Sequence, residues 1–184
     1  MRRAAHLVTR FFGSLVARPL SAAERAWVGS LLTDAEHGVW RELRRADRRE
    51  SVAVARRTER ALAGGPHAAD PDALAAALLH DVGKLDARLG PFRRAGATLA
   101  GALAGPEYAR AWATRSGITR RVGLYLLHAE IGADRLRVVG ARPAAVAWAA
   151  AHHDPARFGA CGLPRAVVAA LVRADGEAPL PPDW

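Results

Sequence analysis

The chain has 184 residues, 51% of them hydrophobic and 24% charged, a balance that fits one globular domain and excludes a disordered chain. Its formal net charge is +9 and its positive charge is almost all arginine, Lys84 being the only lysine, which favours anionic partners such as nucleotides, nucleic acid or an acidic membrane surface. Cys161 is the sole cysteine and no apolar run reaches the roughly 18 residues of a membrane span, so the expectation is a cytoplasmic protein with neither an intramolecular disulfide nor a transmembrane segment.

Near the N-terminus Leu7, Phe11 and Leu15 fall along one helical stripe, predicting a helix docked on the core. Thr33 and Glu36 match a capping box that opens a helix through Trp40 and Leu43. A further helix is expected from Asp47 to Leu62, stopped by Gly64-Gly65-Pro66. Asp70-Pro71 then gives an N-cap followed by proline at the first helical position, and the helix beyond it runs apolar from Asp72 to His80. Pro91 and Gly105-Pro106 bracket shorter helices. Ile118 to His128 and a following segment to Val139 complete the middle of the chain. Pro143 opens a helix ending at His152-His153, and Pro164 one ending at Asp175; Ala178 to Trp184, with three prolines, reads as an extended tail. No period-2 strand, internal repeat or interdomain linker is evident, so the fold class is all-α.

Four histidines, His80, His128, His152 and His153, stand at or near the ends of these apolar helices. His80 and Asp81 place an imidazole beside a carboxylate at the end of a helix with no polar face. Such a carboxylate must be paired or metal-bound to offset its burial, or else simply cap an exposed helix end. The histidine doublet has a plainer reading too, as imidazolium complementing a helix C-terminus. No serine or cysteine sits in a setting that marks a nucleophile.

The stretch Ala75-Ala76-Ala77-Leu78-Leu79-His80-Asp81-Val82-Gly83-Lys84 resembles the signature of the HD superfamily of metal-dependent phosphohydrolases. Asp175, ending a late apolar helix, matches that family's late aspartate. His128 and the doublet are similar in order to the extra histidines of its two-metal, HD-GYP-like members. The resemblance covers roughly residues 47–176 and implies a compact helical HD domain over 46–177, an N-terminal helical extension over 1–45 packed on it, and the tail 178–184. It departs from the family where the first histidine should stand, because that position is Glu50. The spacing of Gly162-Leu163-Pro164 and its lack of tyrosine give no ground for cyclic-dinucleotide specificity.

By this resemblance, Glu50, His80, Asp81, His128, His152, His153 and Asp175 are the expected metal ligands, with Asp81 as a bridge between one metal and a second. Glu50 in place of an imidazole tilts the donor set toward Mn, Mg or Fe rather than Zn, as one or two divalent ions. His80, Asp81 and Lys84 are the expected catalytic residues. Lys84 and Arg94 and Arg121 are the expected contacts to a small phosphorylated substrate of nucleotide type, with Arg93 and Arg120 weaker candidates. The implied activity is phosphomonoester or phosphodiester hydrolysis by a metal-activated water. The alternative is a non-catalytic HD-type module that binds a nucleotide or a partner, with Glu50 the mark of lost turnover. Nucleic-acid binding is a weaker possibility, for no aromatic residues interleave with the basic ones.

Overall fold

Helix signals recur along the whole chain, and in the computed structural model, which describes residues 18–176, 178–182 and 184, there are eleven α-helices and no strand among the described residues. The all-α expectation holds. The stripe of Leu7, Phe11 and Leu15 lies outside the described residues.

The helices, in chain order, are α1 (Ala22–Leu31), α2 (Asp34–Glu42), α3 (Arg45–Leu62), α4 (Pro71–Leu79), α5 (Lys84–Ala87) and α6 (Pro91–Ala104). They continue as α7 (Pro106–Ala113), α8 (Gly117–Leu126), α9 (His128–Val138), α10 (Pro143–Ala151) and α11 (Arg165–Asp175), with a 3₁₀ turn at Pro155–Ala160 between the last two. Their starts follow the capping chemistry. The Thr33 hydroxyl accepts from the Glu36 N–H while the Glu36 carboxylate accepts from the Thr33 N–H, and Ser21 and Glu24 form the same reciprocal pair at α1. The Asp70 carboxylate accepts from the N–H groups of Asp72 and Ala73, with Pro71 behind it. Some expectations move: His128 opens α9 instead of closing α8, α3 starts at Arg45 rather than Asp47, and α1 and α5 add to the helices expected.

Helix α4 decides the architecture. Every residue from Ala73 to Leu79 is buried, so the helix is apolar all round and must be enclosed. It packs on α3 and α10 and touches α1, α2 and α11. The main core around it gathers Val28, Trp40, Val52, Leu78, Leu136, Trp148, Phe158 and Leu171. Each buried Leu or Phe there contributes roughly 1.5–3 kcal/mol of transfer free energy. A smaller cluster of Ala87, Leu89 and Ala97, flanked by Val122, Leu124 and Tyr125, holds α5, α6 and α8 together to one side. The tail has no helix among its described residues, yet it is anchored: Trp184 meets the Phe158 ring edge-on at 6.0 Å and lies under the Arg165 guanidinium.

A buried ion-pair hub ties the first two helices to the rest. Glu36 is fully buried, and its carboxylate accepts from the Arg142 backbone N–H, Nε and Nη2, each at 2.9 Å. Arg142 donates further to the carbonyls of Leu31 and Pro71. Burial alone would raise the Glu36 pKa. The bonds from Arg142 and from the Thr33 N–H outweigh it and leave the group below its ordinary 4.5.

Arg142→Ala leaves the buried Glu36 carboxylate without its counter-ion and is expected to cost about 3–5 kcal/mol in denaturant unfolding, whereas Glu36→Gln, which leaves Arg142 with Asp72 and the Leu31 and Pro71 carbonyls, should cost less. Because the folded pKa of Glu36 lies below the unfolded one, its contribution is complete above about pH 4.5 and is lost as the pH falls through the folded value. Glu36→Gln should flatten that acid limb; an unchanged limb would refute the assignment.

Candidate metal centre

Three imidazoles reach one carboxylate by the same local device used three times. His80 is the C-cap of α4 and His152 the C-cap of α10, while His128 stands two residues past the end of α8. In each ring Nδ1 faces the carbonyl three residues earlier: Ala77 at 2.9 Å, Tyr125 at 2.6 Å and Ala149 at 2.8 Å. A carbonyl only accepts, so Nδ1 carries the proton and donates. The bond occupies one of the carbonyls left over at a helix end. It also fixes the tautomer, so that in the neutral ring the Nε2 lone pair points inward, the orientation typical of metal-ligating histidine.

Those Nε2 atoms converge on Asp81. Its Oδ1 lies 3.3 Å from His128 Nε2 and 3.8 Å from His152 Nε2, and its Oδ2 lies 3.4 Å from His80 Nε2. Asp175, ending α11, places Oδ1 3.6 Å from His80 Nε2. Helices widely separated in the chain thus bring an imidazole, its neighbouring acid and the late aspartate to a common point. Lys84, opening α5, donates from Nζ to Asp81 Oδ2 at 2.6 Å. His153 Nε2 is 3.0 Å from His128 Nε2, and His128, His152 and His153 can together hold a metal ion, one donor atom from each lying within 4.8 Å of the others. His80, Asp81, Lys84, His128, His152 and Asp175 are all buried, whereas His153 is exposed. The centre therefore meets solvent on the His153 side.

Four buried side-chain N or O atoms lack a hydrogen-bond partner among the described residues, and three of them are here: His80 Nε2, Asp81 Oδ1 and His152 Nε2. Each such atom costs about 1–3 kcal/mol unless something satisfies it. The His152 Nε2 lone pair beside the Asp81 carboxylate is a donor set that fits a divalent cation.

The electrostatics agree. Burial opposes a charged His80, but Asp81 and Asp175 outweigh it and raise the imidazole to about 9. Burial opposes the Asp81 carboxylate too, and Lys84, His80 and His128 overcome it, holding the acid well below its usual range. His152 goes the other way: burial, then His153, His80 and His128, keep it neutral and push its pKa well down. The cluster thus keeps one fixed anion and at least one neutral nitrogen in a dry setting. A cation entering it competes with the proton on His80.

Close backbone approach makes this geometry possible. A Cβ on Gly83 would sit 1.9 Å from the His128 carbonyl oxygen and 2.6 Å from the Gly132 nitrogen, so only glycine lets the turn after Asp81 lie against the start of α9.

The other expected site residues are placed differently. The Glu50 carboxylate takes the Arg57 guanidinium at 2.9 Å, and Arg57 Nε donates to the carbonyl of Ala174, next to Asp175. Arg94 forms a two-pronged pair with Asp47, donates to the Leu89 carbonyl and stands 6.0 Å from the Tyr125 ring centroid, the ring that stacks on His128. Arg121 and Arg120 line a separate cavity, and Arg93 is exposed. Sequence reasoning overlooked Tyr125, whose carbonyl orients His128. It also overlooked Gly83 as a contact point, although its place directly after the His-Asp pair was a signal.

The chain matches no protein-family model, no curated protein and no solved structure.

Gly83→Ala is expected to cost at least about 1–3 kcal/mol, because backbone atoms rather than a flexible side chain oppose the new methyl. It should also shift the His128 ring resonances, and a variant with native stability and spectra would contradict the packing. In calorimetric titration with Mn²⁺, His80→Ala and Asp81→Asn should each weaken binding by at least about 10–100-fold. Equal affinity in wild type and variants would remove the cation from this centre.

Proposed function

We propose that this protein is an HD-type metal-dependent phosphohydrolase acting on a small phosphate ester of nucleotide type. The observation that carries the proposal is the convergence of His80, Asp81 and Asp175 with His128 and His152, together with the unsatisfied buried atoms at its middle. His80, Asp81 and Asp175 would hold one divalent cation, and His128, His152 and His153 a second. Asp81, whose Oδ1 faces His128 and whose Oδ2 faces His80, would contribute to holding both. The donors are four imidazole nitrogens and two carboxylates without thiolate; the imidazoles suit Fe and the carboxylates Mn, and with Glu50 given to Arg57 the case against Zn that rested on it falls away. What such cations supply is Lewis acidity, giving a nucleophilic water near neutral pH and taking up charge on phosphoryl oxygens.

The chain's own residues perform the remainder. Buried helix ends exclude bulk water from Asp81 and its imidazoles, strengthening every charge interaction there. The backbone carbonyls of Ala77, Tyr125 and Ala149 hold three rings rigid, so little reorganisation is needed when substrate arrives. Lys84 neutralises Asp81 and brings a cation to the centre, where its ammonium can take a phosphate oxygen. Arg94, locked by Asp47 beside Tyr125, braces the ring that stacks on His128. The pair of Glu50 with Arg57 braces the end of α11 that presents Asp175.

The ion pair that engages Glu50 is also the observation favouring a second reading, a non-catalytic HD-type module that retains the cation and binds a nucleotide. Hydrolysis of bis(p-nitrophenyl) phosphate and p-nitrophenyl phosphate, assayed with Mn²⁺ and with Mg²⁺, separates the two. Turnover that falls at least about 100-fold in Asp81→Asn and in Asp175→Asn supports the phosphohydrolase. Cation binding without turnover supports the module, and turnover indifferent to both substitutions refutes the catalytic assignment.

A further inference from the structure

Apart from the histidine centre, five arginines surround one cavity of about 720 Å³: Arg44 before α3, Arg88 after α5, Arg120 and Arg121 on α8, and Arg135 on α9. That volume lies within the range of about 300–1,000 Å³ usual for small-molecule sites. Two acids share the wall, Glu42 and Asp86, but Arg135 engages both, at 3.2 and 3.1 Å. Arg44 donates one bond to the Leu89 carbonyl. The side chains of Arg88, Arg120 and Arg121 make no hydrogen bond or ion pair among the described residues. Like charges gathered around a concave surface repel one another and focus a positive potential into it. Leu85, Leu124 and Ile131 supply an apolar patch on the same wall.

Arg88 adds an independent observation. It caps α5 in the left-handed conformation, with φ +49° and ψ +31°. A side chain pays for that backbone geometry in stability, which is why glycine commonly fills the position, as Gly176 does with φ +74° after α11. Strain kept at a residue that lines a cavity points toward function. Here the strained residue presents a guanidinium to the cavity where four others gather.

We propose that this cavity binds a polyphosphate chain, inorganic or the tail of a nucleoside triphosphate, at a site distinct from the histidine centre. Guanidinium groups match phosphate oxygens in paired hydrogen bonds, and several phosphates in a row answer several arginines. None of the lining residues is a histidine, Asp81 or Asp175, so the site stands whether or not the centre hydrolyses phosphate esters. It shares two helices with that centre, since α5 starts at Lys84 and α9 at His128.

The test is calorimetric titration of the full chain with tripolyphosphate and with ATP, in excess chelator so that no divalent cation contributes. Wild type should bind, and Arg88→Gly and Arg121→Ser should each weaken binding by at least about tenfold. Arg173→Ser, an exposed arginine on α11, should leave affinity unchanged. Arg88→Gly should keep or raise the melting temperature, so its loss of binding is not a loss of fold. Tighter binding of tripolyphosphate than of ATP would identify the inorganic chain, and the reverse a nucleoside triphosphate; either supports the site. No binding under chelation, equal binding by Arg88→Gly and wild type, or equal loss in Arg173→Ser overturns it. So does a single-stranded oligonucleotide that binds more tightly than either probe through the same arginines.

Discussion

One buried carboxylate organises this molecule's candidate chemistry. Asp81 sits where three imidazoles and an ammonium meet, and burial alone would protonate it. It stays an anion because Lys84 and the histidines surround it. They in turn are held by helix ends that cannot move without opening the core. The arrangement is costly in isolation, since charges leave water and three polar atoms go unsatisfied. A site with such a deficit asks for a cation, and its donor set of imidazole nitrogen and carboxylate oxygen matches one.

Precision comes from the backbone rather than from further side chains. His80 and His152 cap their own helices, and His128 does the equivalent after α8, so the bond that ends each helix also aims each ring. The glycine contact between the turn after Asp81 and the start of α9 sets the spacing between two of these ends. Stability is carried elsewhere, by the aliphatic shell of α4 and by the Glu36–Arg142 hub that fastens the N-terminal helices to α10. The core can thus remain well packed while the polar centre keeps its unmet hydrogen-bonding capacity.

The distribution of arginine shows how charge and fold combine. Arg142 and Arg94 are consumed by buried or half-buried acids and act as structural clamps. Arg57 links Glu50 to the end of α11. The cavity arginines differ, for Arg135 takes both acids and leaves its neighbours uncompensated. A net charge of +9 therefore describes two populations, one inside the fold's ion pairs and one facing outward.

Helix periodicity, proline starts and capping residues determined the all-α class and most helix starts, because those signals act within a few residues of chain. The His80-Asp81 pair, Asp175 and the doublet were legible as candidates for the same reason: polar residues ending apolar helices are conspicuous in one dimension. Tertiary packing alone decided which of them meet. It put Asp175 beside His80, gave Glu50 to Arg57 and Arg94 to Asp47, and sent Arg121 to another cavity. It also turned a local capping box at Glu36 into the partner of Arg142. These outcomes depend on distances between segments far apart in sequence, and no local pattern encodes which side chain wins a shared counter-ion once helices close around it.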